Sequence, residues 1–248
     1  MASLAMVYGG GGPFGIAYGG GVAVGLQRAG IDVRTAPALG TSAGSWVAAL
    51  MALGLGYDDI ADVEMPPIPV RRRGAIAEVA RSVFGDARHE RVWACAFRIR
   101  GSGKGRVVLS GAEHDLADLC AASSAAPRLL PRHVVAGDTY VDGGVRSVTS
   151  IGLAPPAEHV IVVAPLARGV GGFGGTLVQR QLDREARAWR RANPNGTLTV
   201  ITPSPEAAQL AGRSAKDLFD LDNARATYPL AEAQGERVGE ALQRAQSA

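Results

Sequence analysis

A chain of 248 residues with 47% hydrophobic and 20% charged side chains can bury a sizeable core, which sets aside disordered and fibrous classes. Aromatic residues make up only 5%, so the core must be mostly Ala, Val and Leu. The formal charge of +3 is mild, and the basic run Arg71-Arg72-Arg73 has no interleaved aromatics to stack on bases. That run reads as a solvated loop able to attract anionic lipid headgroups, and nucleic acid is not an expected partner.

The chain from Leu4 to Gln27 carries no charge, but its nine glycines and one proline make a poor membrane helix. Met1-Ala2-Ser3 lacks the basic start of a secretory signal, so a cytosolic chain is expected, with any membrane contact peripheral. Leu4 to Tyr8 reads as a buried strand, Gly9 to Gly12 as a loop, and Phe14 to Ala29 as a helix ending at Gly30. Glycines 15, 19, 20, 21 and 25 each cost that helix about 1 kcal/mol relative to alanine, which close packing against the sheet would offset. A short apolar run, Ala36 to Leu39, leads into Gly40-Thr41-Ser42-Ala43-Gly44 and then a helix-length apolar segment from Ser45 to Leu53.

Three prolines keep residues 64–74 irregular, and Gly74 to Phe84 follows as a helix. Val92 to Arg100 and Arg106 to Ser110 form a hairpin around a glycine-rich turn, Glu113 to Ser123 is helical, and Gly137-Asp138 turns a second hairpin between His133–Ala136 and Thr139–Val141. His159 to Pro165 is a buried strand. Residues 169–175 read as a mobile glycine-rich loop, Val178 to Ala192 as a charged helix, Thr197 to Thr202 as a strand and Lys216 to Arg244 as an amphipathic helix. Alternating strands and helices without a linker indicate one domain over residues 1–248, a three-layer α/β/α sandwich on a mainly parallel sheet.

Two cysteines, Cys95 and Cys120, are too few for a disulfide framework and read as buried thiols. His89, His114, His133 and His159 are isolated, so neither a metal nor an organic cofactor is expected.

Two motifs carry chemistry. Gly40-Thr41-Ser42-Ala43-Gly44 is a G-x-S-x-G between an apolar strand and a helix, the setting of a nucleophile elbow. Its glycines make room for a sharply turned serine at a helix N-terminus, where free N–H groups favour developing negative charge. In Tyr140-Val141-Asp142-Gly143-Gly144 a carboxylate follows a strand on a tight, uncrowded turn.

Together with Gly10-Gly11-Gly12-x-x-Gly15 and the run Ala122 to Pro127, these motifs in this order resemble the patatin-like phospholipase family over roughly residues 4–150. The resemblance implies a lipid acyl hydrolase with Ser42 as nucleophile, Asp142 as base and no catalytic histidine. It implies an oxyanion hole from the N–H groups of Gly10, Gly11 and Gly12, with Gly40, Gly44, Gly143 and Gly144 shaping the two turns, and a lipid or other ester as substrate. The chain departs from the family at Phe14, where a Lys or Arg is usual, and the segment after Gly15 is about one residue longer than usual. Pro127 to Pro131 is expected at the acyl pocket, and residues 64–74 or 169–175 as a movable cover. Two other readings stand beside this one. One is a Ser–His–Asp hydrolase using His159, since Ser42, Asp142 and His159 occur in that chain order. The other is a non-catalytic lipid-binding relative.

Overall fold

Apolar runs become strands, and the Ala- and Leu-rich stretches between them become helices, in a computed structural model describing residues 2–168, 170, 173–212, 214 and 216–246. The first half contains β1 (Ala2–Tyr8), α1 (Gly12–Arg28), β2 (Ala38–Thr41), α2 (Ala43–Ala52), the single turn α3 (Asp58–Ala61) and α4 (Ala75–Phe84). The hairpin β3 (Val92–Arg100) and β4 (Gly105–Ser110), α5 (Leu116–Ser123) and the hairpin β5 (His133–Val135) and β6 (Asp138–Asp142) follow. Then come β7 (Ala157–Val163), α6 (Phe173–Ala192), β8 (Thr197–Ile201), α7 (Pro205–Leu210) and α8 (Leu221–Gln246).

Among the described residues, eight strands join one sheet. Strands β3, β2, β1, β7 and β8 lie side by side in parallel, while β4, β6 and β5 extend the β3 end in antiparallel pairs. Side chains alternate across the two covered faces of the inner strands. Met6, Tyr8, Ile161 and Val163 enter a core with α1, α2, α4 and α5. Ala5, Val7, Val160 and Val162 meet Leu182, Ala186 and Trp189 of α6 on the other face. The result is an α/β/α arrangement with unequal helical layers.

The α1 glycines serve a different contact from the one expected. A Cβ on Gly25 would overlap the Glu232 carbonyl oxygen of α8, and one on Gly21 would crowd the Tyr228 carbonyl oxygen at 2.6 Å. Gly19 rests on Val47 of α2. These glycines thus seat α1 against two helices, and the close approach of α8 is what their absent side chains permit.

Other boundaries also shift. Residues before Leu116 form turns, in which the His114 N–H donates to the Ser110 carbonyl (3.1 Å). The α6 helix begins at Phe173, five residues early, and positions 169, 171 and 172 of the expected loop lie outside the described residues. The unanticipated α7 is capped by Ser204, whose hydroxyl accepts from the Ala207 N–H (3.3 Å), and starts at Pro205.

Candidate active site

The site originates in an arrangement along one edge of β3. Strand β2 runs parallel to β3 and ends with Thr41 opposite Cys95. Strand β6 runs antiparallel and ends with Asp142 opposite Ala96, the next residue. Because β4 occupies the other edge over Trp93–Arg98, β2 and β6 must share this one, meeting carboxyl end to carboxyl end. Ser42 and Asp142, a hundred positions apart in the chain, emerge at that junction, close enough for the Ser42 hydroxyl to favour the ionised form of the Asp142 carboxyl.

Ser42 has φ 53° and ψ −125°, a conformation that side-chain-bearing residues rarely adopt. Its backbone is fixed on both sides. The Ser42 N–H donates to Ser123 Oγ (2.8 Å), whose own hydroxyl donates to the Cys95 carbonyl (2.6 Å). The Ser42 carbonyl accepts from the N–H and the hydroxyl of Ser45 (2.8 and 2.6 Å). The flanking glycines are required by space, since a Cβ on Gly44 would overlap the Tyr8 carbonyl oxygen and one on Gly40 the Ser45 backbone. Strain of this kind is worth about 1 kcal/mol or more. Ser42→Gly is therefore expected to exceed Ser42→Ala in stability by about 1 kcal/mol. Urea midpoints of the two variants check this, and equal midpoints would mean that the turn is relaxed.

Asp142 is buried at 6% exposure. Its Oδ1 accepts from the Gly144 N–H (2.6 Å), and its own N–H donates to the Ala125 carbonyl (3.0 Å). Burial raises its pKa from 3.8 to about 6, against the opposing pull of the Ser42 hydroxyl and the Gly144 N–H. A Cβ on Gly143 would overlap the Cys95 carbonyl oxygen, so this turn too needs its bare backbone against β3.

The glycine loop divides into two parts. Gly10 lies over the serine, where a Cβ would come within 3.2 Å of Ser42 Cβ. Its N–H is already committed to the Val148 carbonyl (2.8 Å), so Gly10 supplies clearance instead of a donor. The N–H groups of Gly11 and Gly12, at the start of α1, donate to no backbone carbonyl among the described residues. Phe14 is fully buried and stacks on Tyr18 with ring centroids 6.1 Å apart, so its side chain belongs to the core.

A cavity of about 180 Å³ adjoins the serine. Gly11, Gly12, Ser42 and Ala43 line it together with Ile16, Trp46, Ile60, Leu129, Leu130 and Leu218, and among the described residues no charged side chain lines it. Leu129 and Leu130 come from the run expected at an acyl pocket, and Met65 is the residue of segment 64–74 that reaches the cavity. The Ala122 to Pro127 run packs α5 into the core and also touches the site. Ser123 holds the elbow, Ser124 Oγ accepts from Trp46 Nε1 (3.0 Å), and Ser124 and Ala126 line the cavity. One serine in an Ala/Ser run carries no distinguishing sequence signal, so the Ser123 contact is visible only in the fold.

His159 is not part of this constellation. It sits near the amino end of β7, opposite Leu4, with Nε2 2.9 Å from Thr199 Oγ1. Val163, four positions on, is level with Tyr8 and hence with Gly40, so His159 lies roughly 13 Å short of the elbow. That spacing overturns the Ser–His–Asp alternative. His133 instead pairs with Asp118 at 2.9 Å. Cys95 and Cys120 are buried free thiols, and burial pushes the Cys120 thiol up to about 12. Among the described residues, no group of three or more His, Cys, Asp or Glu could hold a metal ion.

No family model matches the chain, and no curated protein matches it. The crystal structure of VipD from Legionella pneumophila is similar over 92% of this chain, at 14% sequence identity and a TM-score of 0.42. The chain spans 66% of the length of that one. Among the described residues, no helix is long and apolar enough to cross a membrane.

Proposed function

We propose that this chain is a patatin-like serine acyl hydrolase that cleaves carboxylic esters of lipids through a Ser42–Asp142 dyad. The observation that carries the reading is the meeting of these two side chains at one strand junction, beside a cavity whose described lining is apolar and uncharged. A carboxylate of pKa about 6 is still ionised at neutral pH, yet it is a stronger base than a solvated aspartate. Asp142 takes the Ser42 proton as Oγ attacks the ester carbonyl, then returns it to the departing alcohol. Water activated by the same carboxylate releases the fatty acid from the acyl-enzyme.

The oxyanion is held by the N–H groups of Gly11 and Gly12, joined by that of Ala43 at the start of α2. Such a donor is typically worth about 2.7–4 kcal/mol of transition-state stabilisation. The apolar lining takes the acyl chain. With no cation among its described lining residues, the cavity offers a phosphate headgroup no counter-charge, and the headgroup remains outside.

Hydrolysis of p-nitrophenyl esters of increasing chain length tests the reading. Turnover by the wild type and none by Ser42→Ala is the expected result, and equal rates for the two would overturn it. Leu130→Trp narrows the cavity and should lower kcat/KM at least about tenfold on long-chain esters, while sparing the acetate ester. A uniform change across chain lengths would place the acyl group elsewhere.

A further inference from the structure

Two cation-bearing segments are tied together beside the cavity. The Val70 N–H donates to the Leu129 carbonyl (2.8 Å), joining the stretch that ends in Arg71-Arg72-Arg73 to the stretch containing Arg128 and Arg132. All five arginines are exposed. Arg72 pairs with Glu78 at 2.6 Å, whereas Arg71, Arg73, Arg128 and Arg132 have no ion-pair partner among the described residues. The acidic groups on the two stretches and the adjoining first turn of α4 are Glu64 and the already paired Glu78. The rim around these arginines is apolar. Pro67, Pro69 and Pro127 are exposed, and Val134 is 56% exposed. The same two stretches contribute Met65, Leu129 and Leu130 to the cavity lining.

We propose that the patch formed by Arg71, Arg73, Arg128 and Arg132 docks this protein on the surface of an anionic lipid bilayer, with the cavity beside the lipid. Charge complementarity selects the occupant. Unpaired guanidinium groups are attracted to the negative surface potential, and proline and valine side chains among them enter the headgroup layer. A nucleic acid fits less well, because neither stretch contains an aromatic residue on which a base could stack. The described lining of the cavity carries no charge, so the two regions divide the labour. Anionic headgroups are recognised outside it by arginines, and acyl chains inside it by leucines. The proposal extends the proposed function by naming the surface from which substrate is taken. Binding to vesicles needs no working dyad, so either idea can fail without the other.

The test is co-sedimentation of the full chain, as the Ser42→Ala variant, with phosphatidylcholine vesicles and with phosphatidylcholine–phosphatidylglycerol vesicles. Binding to the mixed vesicles only, weakened by added salt, is the expected result. Each arginine should be worth about fivefold in the partition coefficient, so replacing all four by Glu should lower it at least several hundred-fold. In the otherwise wild-type chain, the fourfold variant should still hydrolyse a soluble acetate ester at the parent rate. Equal binding to both vesicle types, no binding, or binding to RNA or an acidic peptide without binding to vesicles would each overturn the proposal. Should the fourfold variant fail to fold, single Arg→Gln variants and the salt and lipid dependence of the unmutated patch decide the matter.

Discussion

Asp142→Asn should abolish ester hydrolysis and, at neutral pH, leave a more stable protein than the one it replaces. The loss of activity follows from removing the base, a contribution of about 10²- to 10⁴-fold. The gain in stability follows from burial. The pKa of Asp142 is raised from 3.8 to about 6 in the fold, so the folded state holds its proton more tightly than the unfolded chain does. Stability from this group is fully present below the unfolded value and is lost as pH rises through about 6. At 1.36 kcal/mol per pH unit the ionised carboxylate costs the fold roughly 3 kcal/mol. Asparagine has the same shape, can still accept from the Gly144 N–H and does not ionise. Denaturation midpoints should therefore be higher for the variant at about pH 8 and converge with the wild type near pH 4. A variant less stable at both pH values would show that the carboxylate is held by compensating interactions. The same group sets the rate profile. In the wild type, kcat/KM should rise with pH through about 6, and no histidine contributes an alkaline limb.

Gly44→Ala should prevent stable folding, although alanine is the better helix former. The new methyl would overlap the Tyr8 carbonyl oxygen, with the Gly9 carbonyl oxygen at 2.9 Å, and both are backbone atoms at the end of the central strand. Neither can move without disturbing the pairing of β1 with β2 and β7. Overpacking of a well-filled core typically costs 1–3 kcal/mol, and a backbone obstacle puts this site at about 3 kcal/mol or above. Gly20→Ala is the control. It lies within α1, where a Cβ meets nothing within 4 Å, and should gain up to about 1 kcal/mol. Chemical denaturation of both variants, with the soluble yield of the first, decides the point. Equal stability of Gly44→Ala and wild type would mean that the elbow is loose enough to admit a methyl group.

What the sequence makes legible is local. Apolar runs mark β1, β2 and β7, glycine turns mark the two hairpins, and glycines around Ser42 and after Asp142 mark sharp turns at strand ends. Each signal lies within a few residues of the feature it announces. Less legible are contacts set by distant partners. That β2 and β6 share one edge of β3 follows from pairing across the sheet, as does the Val148 carbonyl that occupies the Gly10 N–H. The glycines of α1 announce close packing but not its partner, and α8 takes the place expected for the sheet because Gly235 and Gly239 give its backbone the matching clearance. His159 fits a chain-order pattern that says nothing about depth along a strand, and register excludes it.

The most direct test of the dyad is the site at which a fluorophosphonate probe attaches, read by peptide mass spectrometry on wild type, Asp142→Asn and His159→Ala. A single adduct on Ser42 is expected in the wild type, retained in His159→Ala and lost or greatly slowed in Asp142→Asn. An unlabelled wild type, an adduct on another serine, or labelling that needs His159 and ignores Asp142 would contradict it.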